Sequence, residues 1–219
     1  EGNDTINGGA GDDVITGGDG ADTIAGGEGA DTINGGVGSD DLDGGDGNDT
    51  LSYQGSSSAT NVNLETGQAD SGDDSDSISN FENVNGSAQA DTITGDENAN
   101  TLQGDAGNDV IDGGAGNDVI EGGSGNDTLV GGEGNDTIKG GSGEDTVSYG
   151  DASGGVSVNL SEGTASGADG DDSIEGVENL IGSAYDDDLV GSVEDNTIDG
   201  GAGDDTIDSG AGEDVVTGG

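Results

Sequence analysis

Aspartate returns every ninth residue along most of this 219-residue chain. In GGAGNDVIEGGSGNDTLVGGEGNDTIKGGSGEDTV, from Gly113 to Val147, it takes the sixth place of each nonapeptide. An aliphatic residue follows two places later, and glycines hold the first, second and fourth places of most copies. Carboxylates spaced this evenly can share a proton or hold a cation. Sharing a proton for acid–base work needs an apolar enclosure, and large apolar residues are limited to about one aliphatic per repeat plus Phe81, Tyr53, Tyr149 and Tyr185. Cation binding is the chemistry that remains.

Calcium suits such a column best, because it accepts six to eight carboxylate and carbonyl oxygens in tolerant geometry, whereas magnesium demands a tighter octahedron and releases water reluctantly. Transition metals favour His or Cys, and the chain contains neither. The candidate ligands are Asp4, Asp13, Asp22, Asp31, Asp40 and Asp49, then Asp91, Asp109, Asp118, Asp127, Asp136 and Asp145, then Asp187, Asp205 and Asp214. Asp76, Asp172, Asn100 and Asn196 hold the same phase as weaker members, the asparagines because an amide replaces the carboxylate. Backbone carbonyls of the glycine-rich turns complete the expected donor set.

The elements that must position these groups follow from the same nine residues. Glycines at places one, two and four permit the positive φ angles of a tight turn. Places seven to nine alternate polar, apolar, polar and favour a three-residue strand with its middle side chain inward. A turn and a short strand at fixed period stack into an all-β, parallel β-solenoid. Three repeat blocks, 1–52, 86–148 and 182–219, are separated by interruptions at 53–85 and 149–181. The interruptions are related copies: DTLSY returns as DTVSY, VNL as VNL, and FENVNGSA as VENLIGSA. Asp76 with Ile78, and Asp172 with Ile174, keep the repeat phase inside them, so they read as longer coils of one continuous solenoid, with Tyr53 and Tyr149 covering the core. One inward aliphatic per nine ordered residues falls short of the conformational entropy lost, and the stacked carboxylates oppose folding further. A bound cation must supply the difference.

GGAGNDVIE, GGSGNDTLV and GGEGNDTIK resemble the RTX (repeats-in-toxin) nonapeptide, a calcium-binding repeat. The resemblance implies two nonapeptides per turn of a right-handed parallel β-roll, with each calcium between turn loops one coil apart. It pairs Asp4 with Asp22, Asp22 with Asp40, Asp13 with Asp31 and Asp31 with Asp49 in the first block. In the second it pairs Asp109 with Asp127, Asp127 with Asp145 and Asp118 with Asp136. Weaker pairs are Asp91 with Asp109, Asn100 with Asp118, Asp187 with Asp205 and Asn196 with Asp214. It further implies a secreted bacterial protein, exported unfolded by type I secretion, extracellular or on the cell surface, that folds on meeting calcium. The expected function is a stiff spacer or scaffold in an adhesin, surface layer or filament; the alternative is an accessory module of a secreted enzyme or toxin.

Composition narrows the other classes. With 50 acidic residues against Lys139 alone, the net charge is −49. Such a field attracts cations and repels nucleic acid and anionic membranes, and no stretch has the apolar length of a membrane span. Without Cys or His there is no disulfide framework and no Ser/His/Asp triad. DSG at Asp70–Gly72 and Asp208–Gly210 matches an aspartic-protease triplet, but the second copy is a by-product of the repeat, and no enzymatic activity is expected. Outward threonines at place seven raise ice binding as a minor alternative, though place nine forms no matching file. The phase of Glu1 and Gly219 would let one copy continue into the next, so excision from a longer solenoid and head-to-tail stacking with calcium at the seams are both open.

Overall fold

The computed structural model describes residues 2–72 and 74–219; Glu1, at which the end-to-end phase match begins, and Asp73 of the first acidic loop lie outside the described residues. Among the described residues, 25 strands form two sheets, of 13 and 12 strands, and no helix is long and apolar enough to cross a membrane. In the regular blocks consecutive strands alternate between the sheets, and each pairs in parallel with the strand two further on. Ile6, Ile24 and Leu42 therefore align on one wall, and Ile15, Ile33 and Leu51 on the other. One coil is two nonapeptides.

Many strands exceed the expected three residues. Thr23–Glu28 and Thr137–Ser142 each run on through the glycine pair, and their ladders continue at Gly27–Gly45 and Gly123–Gly141. The longer strand turns two residues inward: the place-eight aliphatic, and the place-one glycine of the following repeat. The aliphatics from Ile15 to Ile198 form one continuous buried row between the walls. Apolar groups meet only along that row, so each side chain packs chiefly against neighbours one coil away and one wall across.

The two inserts are β-meanders laid into a wall. In the first, Thr60–Asn63 pairs in parallel with Thr92–Asp96, Gln68–Ser71 runs back antiparallel, and Asp74–Ser79 rejoins Asp41–Asp46 with Leu42 beside Ile78. The second repeats this with Ser157–Asn159, Thr164–Ser166 and Asp171–Glu175. The VNL asparagine makes the reversal: Asn63 accepts the Thr66 N–H at 2.7 Å and Asn159 the Glu162 N–H at 3.1 Å, with Gly67 and Gly163 in left-handed conformation. Tyr53 is buried in the core and Tyr149 packs against it. The first meander belongs to the 13-stranded sheet and the second to the 12-stranded sheet. An odd number of nonapeptides separates them, and each nonapeptide exchanges walls.

A row one side chain wide has little capacity to close a cavity. Leu129→Ala, at a fully buried position, is expected to lower the stability of the calcium-loaded chain by about 2–5 kcal/mol. The control Val37→Ser, at a side chain 61% exposed, should stay within about 0.5 kcal/mol. Urea unfolding in saturating calcium measures both.

Candidate metal columns

Place-one and place-two glycines do different work. Gly9 and Gly18, at place two, have φ of 105° and 112°, the left-handed turn that the sequence implies. In the regular repeats place-one glycines take no positive φ, contrary to expectation; what they provide is room. A methyl on Gly8 would stand 2.6 Å from Oδ2 of Asp13 and 2.6 Å from the Gly26 carbonyl oxygen. The sixth-place carboxylate thus folds back over the first glycine of its own repeat, against a carbonyl of the next coil.

The other carboxylate oxygen ties coil to coil. The Asp4 N–H donates to Oδ1 of Asp22 at 2.7 Å, Asp22 to Asp40 at 2.8 Å, and Asp40 to Asp76 at 2.9 Å. On the second edge Asp13 donates to Asp31 and Asp31 to Asp49. The middle block continues the pattern through Asp91–Asp109–Asp127–Asp145 and Asn100–Asp118–Asp136–Asp172. Asp187–Asp205 and Asn196–Asp214 follow at 3.0 Å. Every pair of sixth-place residues implied by the resemblance lies side by side. Two members were not anticipated: Glu82 and Glu178 accept the N–H of Asp49 and Asp145 at 2.8 and 3.0 Å. FEN and VEN were their signal, since Val84 and Leu180 behind them align with Leu51 and Val147 at place eight. Place-five side chains add an outer ladder, as where Asn117 Oδ1 accepts the Asn135 N–H at 2.8 Å.

Oδ2 has no such partner. In Asp13, Asp22, Asp31, Asp40, Asp49, Asp109, Asp118, Asp127, Asp136, Asp145 and Asp205 it is buried and accepts no hydrogen bond. Nine of these residues, all but Asp13 and Asp205, are no more than 3% exposed. Among the described residues no three acidic side chains converge on one point, so any cation here must draw on backbone carbonyls as well. They are at hand: Asp127 Oδ2 and the Gly140 carbonyl crowd the same space over Gly122. An anionic oxygen beside a neutral carbonyl, repeated once per nonapeptide, fits a hard cation of high coordination number.

Burial without a counter-charge raises the affinity of these carboxyls for protons. Desolvation lifts Asp118 to about 7 and Asp109 to about 6, against the lowering effect of the Asn100 and Asp91 N–H groups. Asp40, Asp49, Asp127, Asp136 and Asp145 move upward chiefly for the same reason. Lys139 is no counter-ion to the columns; it forms an exposed pair with Glu121. The outward threonine file is short, since Thr5 and Thr23 are followed by Asp41. The two DSG triplets lie on different sheets, Asp70 in Gln68–Ser71 and Asp208 in Thr206–Asp208.

A family model described as RTX calcium-binding nonapeptide repeat (4 copies) matches residues 1–33, 16–51, 85–120, 94–129, 121–153 and 181–216. The matches take in the three repeat blocks and leave most of both meanders uncovered. No curated protein sequence matches the chain.

A carboxyl whose pKa is raised by folding binds its proton more tightly in the folded chain than in the unfolded one. That contribution to the metal-free fold is complete below the ordinary aspartate range and lost as pH climbs to about 7. In chelator, far-UV circular dichroism should therefore gain β signal as pH falls from about 7.5 to about 5. A β signal that grows with rising pH would contradict the assignment of these carboxyls as unpaired.

Proposed function

Because the chain belongs to the RTX calcium-binding nonapeptide-repeat family, we propose that it is a folding switch whose sixth-place aspartates and turn carbonyls hold calcium ions in columns along both edges of the β-roll. The file of buried, unpartnered Oδ2 atoms is the observation that carries this reading. When bound, calcium supplies positive charge and coordination to oxygens that nothing else satisfies. The chain's own residues do the rest. Place-one glycines open the space, place-two glycines turn the chain, and each aspartate N–H aligns the carboxylate of the next coil. With a net charge of −49, the metal-free chain repels itself at neutral pH, so metal-binding free energy becomes folding free energy.

We place the protein outside a bacterial cell, exported unfolded by type I secretion and folded where calcium is abundant. There it serves as a stiff spacer or scaffold of an adhesin, surface layer or filament, and we assign it no catalytic step. Sites of extracellular modules bind calcium at about 10⁻⁴–10⁻³ M, which keeps such a chain open at cytoplasmic concentrations. Head-to-tail association through the outermost strands, Thr5–Ala10 and Val215–Thr217, is the self-contact this role would use.

Titrating calcium into chelated protein at neutral pH, with magnesium as control, tests the switch. The expected result is a cooperative coil-to-β transition in circular dichroism with calcium alone, and light scattering that rises in the same range if copies stack. A chain already β-rich in chelator, or one still disordered at about 10⁻² M calcium, a tenfold excess over such sites, would overturn the proposal.

A further inference from the structure

The sixth-place side chains fall into two populations, and the backbone at place two separates them. In the regular coils from Asp13 to Asp205, wherever place two has a positive φ the aspartate four residues on has the orphaned Oδ2; Gly210, left-handed before Asp214 in the last coil, is the exception. Gly9 precedes Asp13, Gly36 precedes Asp40, Gly114 precedes Asp118 and Gly201 precedes Asp205 in this way. Asp105 obeys the rule without being glycine: its φ is 72°, and Asp109 follows. Four coils break the pattern at the same place, with Ser87, Asp96, Ser183 and Ser192. Among the described residues the non-glycine positions with positive φ are Asn80 and Asp105, so none of these four is left-handed.

The consequence is a hydrogen bond in the position where other coils have none. Ser87 N–H donates to Asp91 Oδ2 and Ser183 N–H to Asp187 Oδ2, both at 2.6 Å. The serine hydroxyls reach the second oxygen of the same carboxylates at 2.8 and 2.7 Å. Thr60 N–H adds a third donor to Asp91, and Val156 N–H to Asp187. In the other two coils the side chain is an amide. Asn100 Oδ1 accepts the Asp96 N–H at 2.9 Å while its Nδ2 donates to the Glu82 carbonyl at 3.1 Å. Asn196 bridges the Ser192 N–H and the Glu178 carbonyl in the same manner, at 2.7 Å each. The meanders use a further device: the Tyr53 hydroxyl donates to Asp76 Oδ2 at 2.7 Å, and the Tyr149 hydroxyl to Asp172 Oδ2 at 2.9 Å.

We propose that the protein's own N–H and O–H donors take the place of calcium at Asp76, Asp91 and Asn100 and again at Asp172, Asp187 and Asn196, making the coils around each meander calcium-free seams. Calcium is then left to the runs Asp13–Asp49 and Asp109–Asp145, to Asp205 and to Asp4 and Asp214, which lie outside the seams. The inference rests on the calcium role proposed above for the orphaned aspartates. Its chemistry is that of donor supply. A carboxylate that already accepts on both oxygens offers a cation no unused charge without the loss of charge-assisted hydrogen bonds. An amide Nδ2 presents hydrogens, not lone pairs, toward the carbonyl that a cation would share. Place two is the determinant in the regular coils: a left-handed residue leaves the carboxylate for calcium, and a residue of ordinary φ turns its N–H inward and closes the site. In the meanders the determinant is the tyrosine hydroxyl.

Two measurements on the full chain test this. Crystals grown with terbium in place of calcium should give anomalous peaks beside the orphaned aspartates and none within coordinating distance of Asp76, Asp91, Asp172 or Asp187. In equilibrium dialysis, Asp76→Asn with Asp172→Asn should bind as many calcium ions as the unaltered protein, whereas Asp118→Asn with Asp127→Asn should lose at least one. A terbium peak at any of the four seam carboxylates, or a fall in the calcium count of the Asp76→Asn/Asp172→Asn chain, would overturn the proposal. If that variant does not fold, the terbium map of the unaltered protein decides. A chain that binds no ion anywhere is a different result, and refutes the calcium switch itself.

Discussion

Ten sixth-place aspartates have one carboxylate oxygen satisfied and the other buried and bare. Oδ1 receives the N–H of the sixth-place residue one coil earlier, which ties the register of neighbouring turns alongside the strand ladders. Oδ2 lies over the place-one glycine with a carbonyl for company and no donor. Native proteins leave few buried polar atoms without partners, and among the described residues eleven carboxylate oxygens share that condition. The aliphatic row cannot offset them, since it offers about one buried side chain per nonapeptide. In the proposed switch, folding waits on a positive charge delivered to Oδ2, whether a proton at low pH or calcium at neutral pH.

The same constraint explains why glycine is so abundant and why its two adjacent copies are not equivalent. Place one must lack a Cβ because a carboxylate and a carbonyl already fill that volume; place two must reach a left-handed angle so that its N–H faces away from the carboxylate. Loss of the second condition is tolerated in the chain, at Ser87, Asp96, Ser183 and Ser192, and each time an internal donor appears where the bare oxygen had been. Loss of the first is not seen in any coil that carries an orphaned Oδ2. The first condition is steric and absolute, the second conformational and exchangeable.

Much of this was legible in the sequence. The nine-residue period set the strand, the turn and the inward row, and a sixth-place aspartate or asparagine with an aliphatic two residues on located the residues that line up in the columns of the regular blocks. What escaped had physical reasons. Glu82 and Glu178 carry one more methylene than aspartate and sit in a shortened loop, so the period alone did not place them, though the valine and leucine two residues later do. The antiparallel strands Gln68–Ser71 and Thr164–Ser166 contain just one inward residue of note, Ala69 and Ala165, too small a signal to register as strand. Place-one and place-two glycines look identical as letters, and only their angles and surroundings distinguish space from torsion. The serines at place two were visible as departures from the motif, but their meaning lies in where an N–H points.

The meanders join these threads. Each adds its strands to one wall alone, and the odd number of nonapeptides between them puts the additions on opposite walls. A parallel roll admits such an excursion only where the chain can leave and re-enter without disturbing the carboxylate columns. Asp76 and Asp172 supply the re-entry point: they accept the N–H of Asp40 and Asp136, as any sixth-place residue does, while a tyrosine from the departing strand end covers the other oxygen. Tyr53 and Tyr149 thus do two jobs at one location, closing the apolar row with the ring and the polar column with the hydroxyl. A phenylalanine would perform the first and leave another bare carboxylate, which is why the residue that marks each change of pattern is an aromatic with a donor.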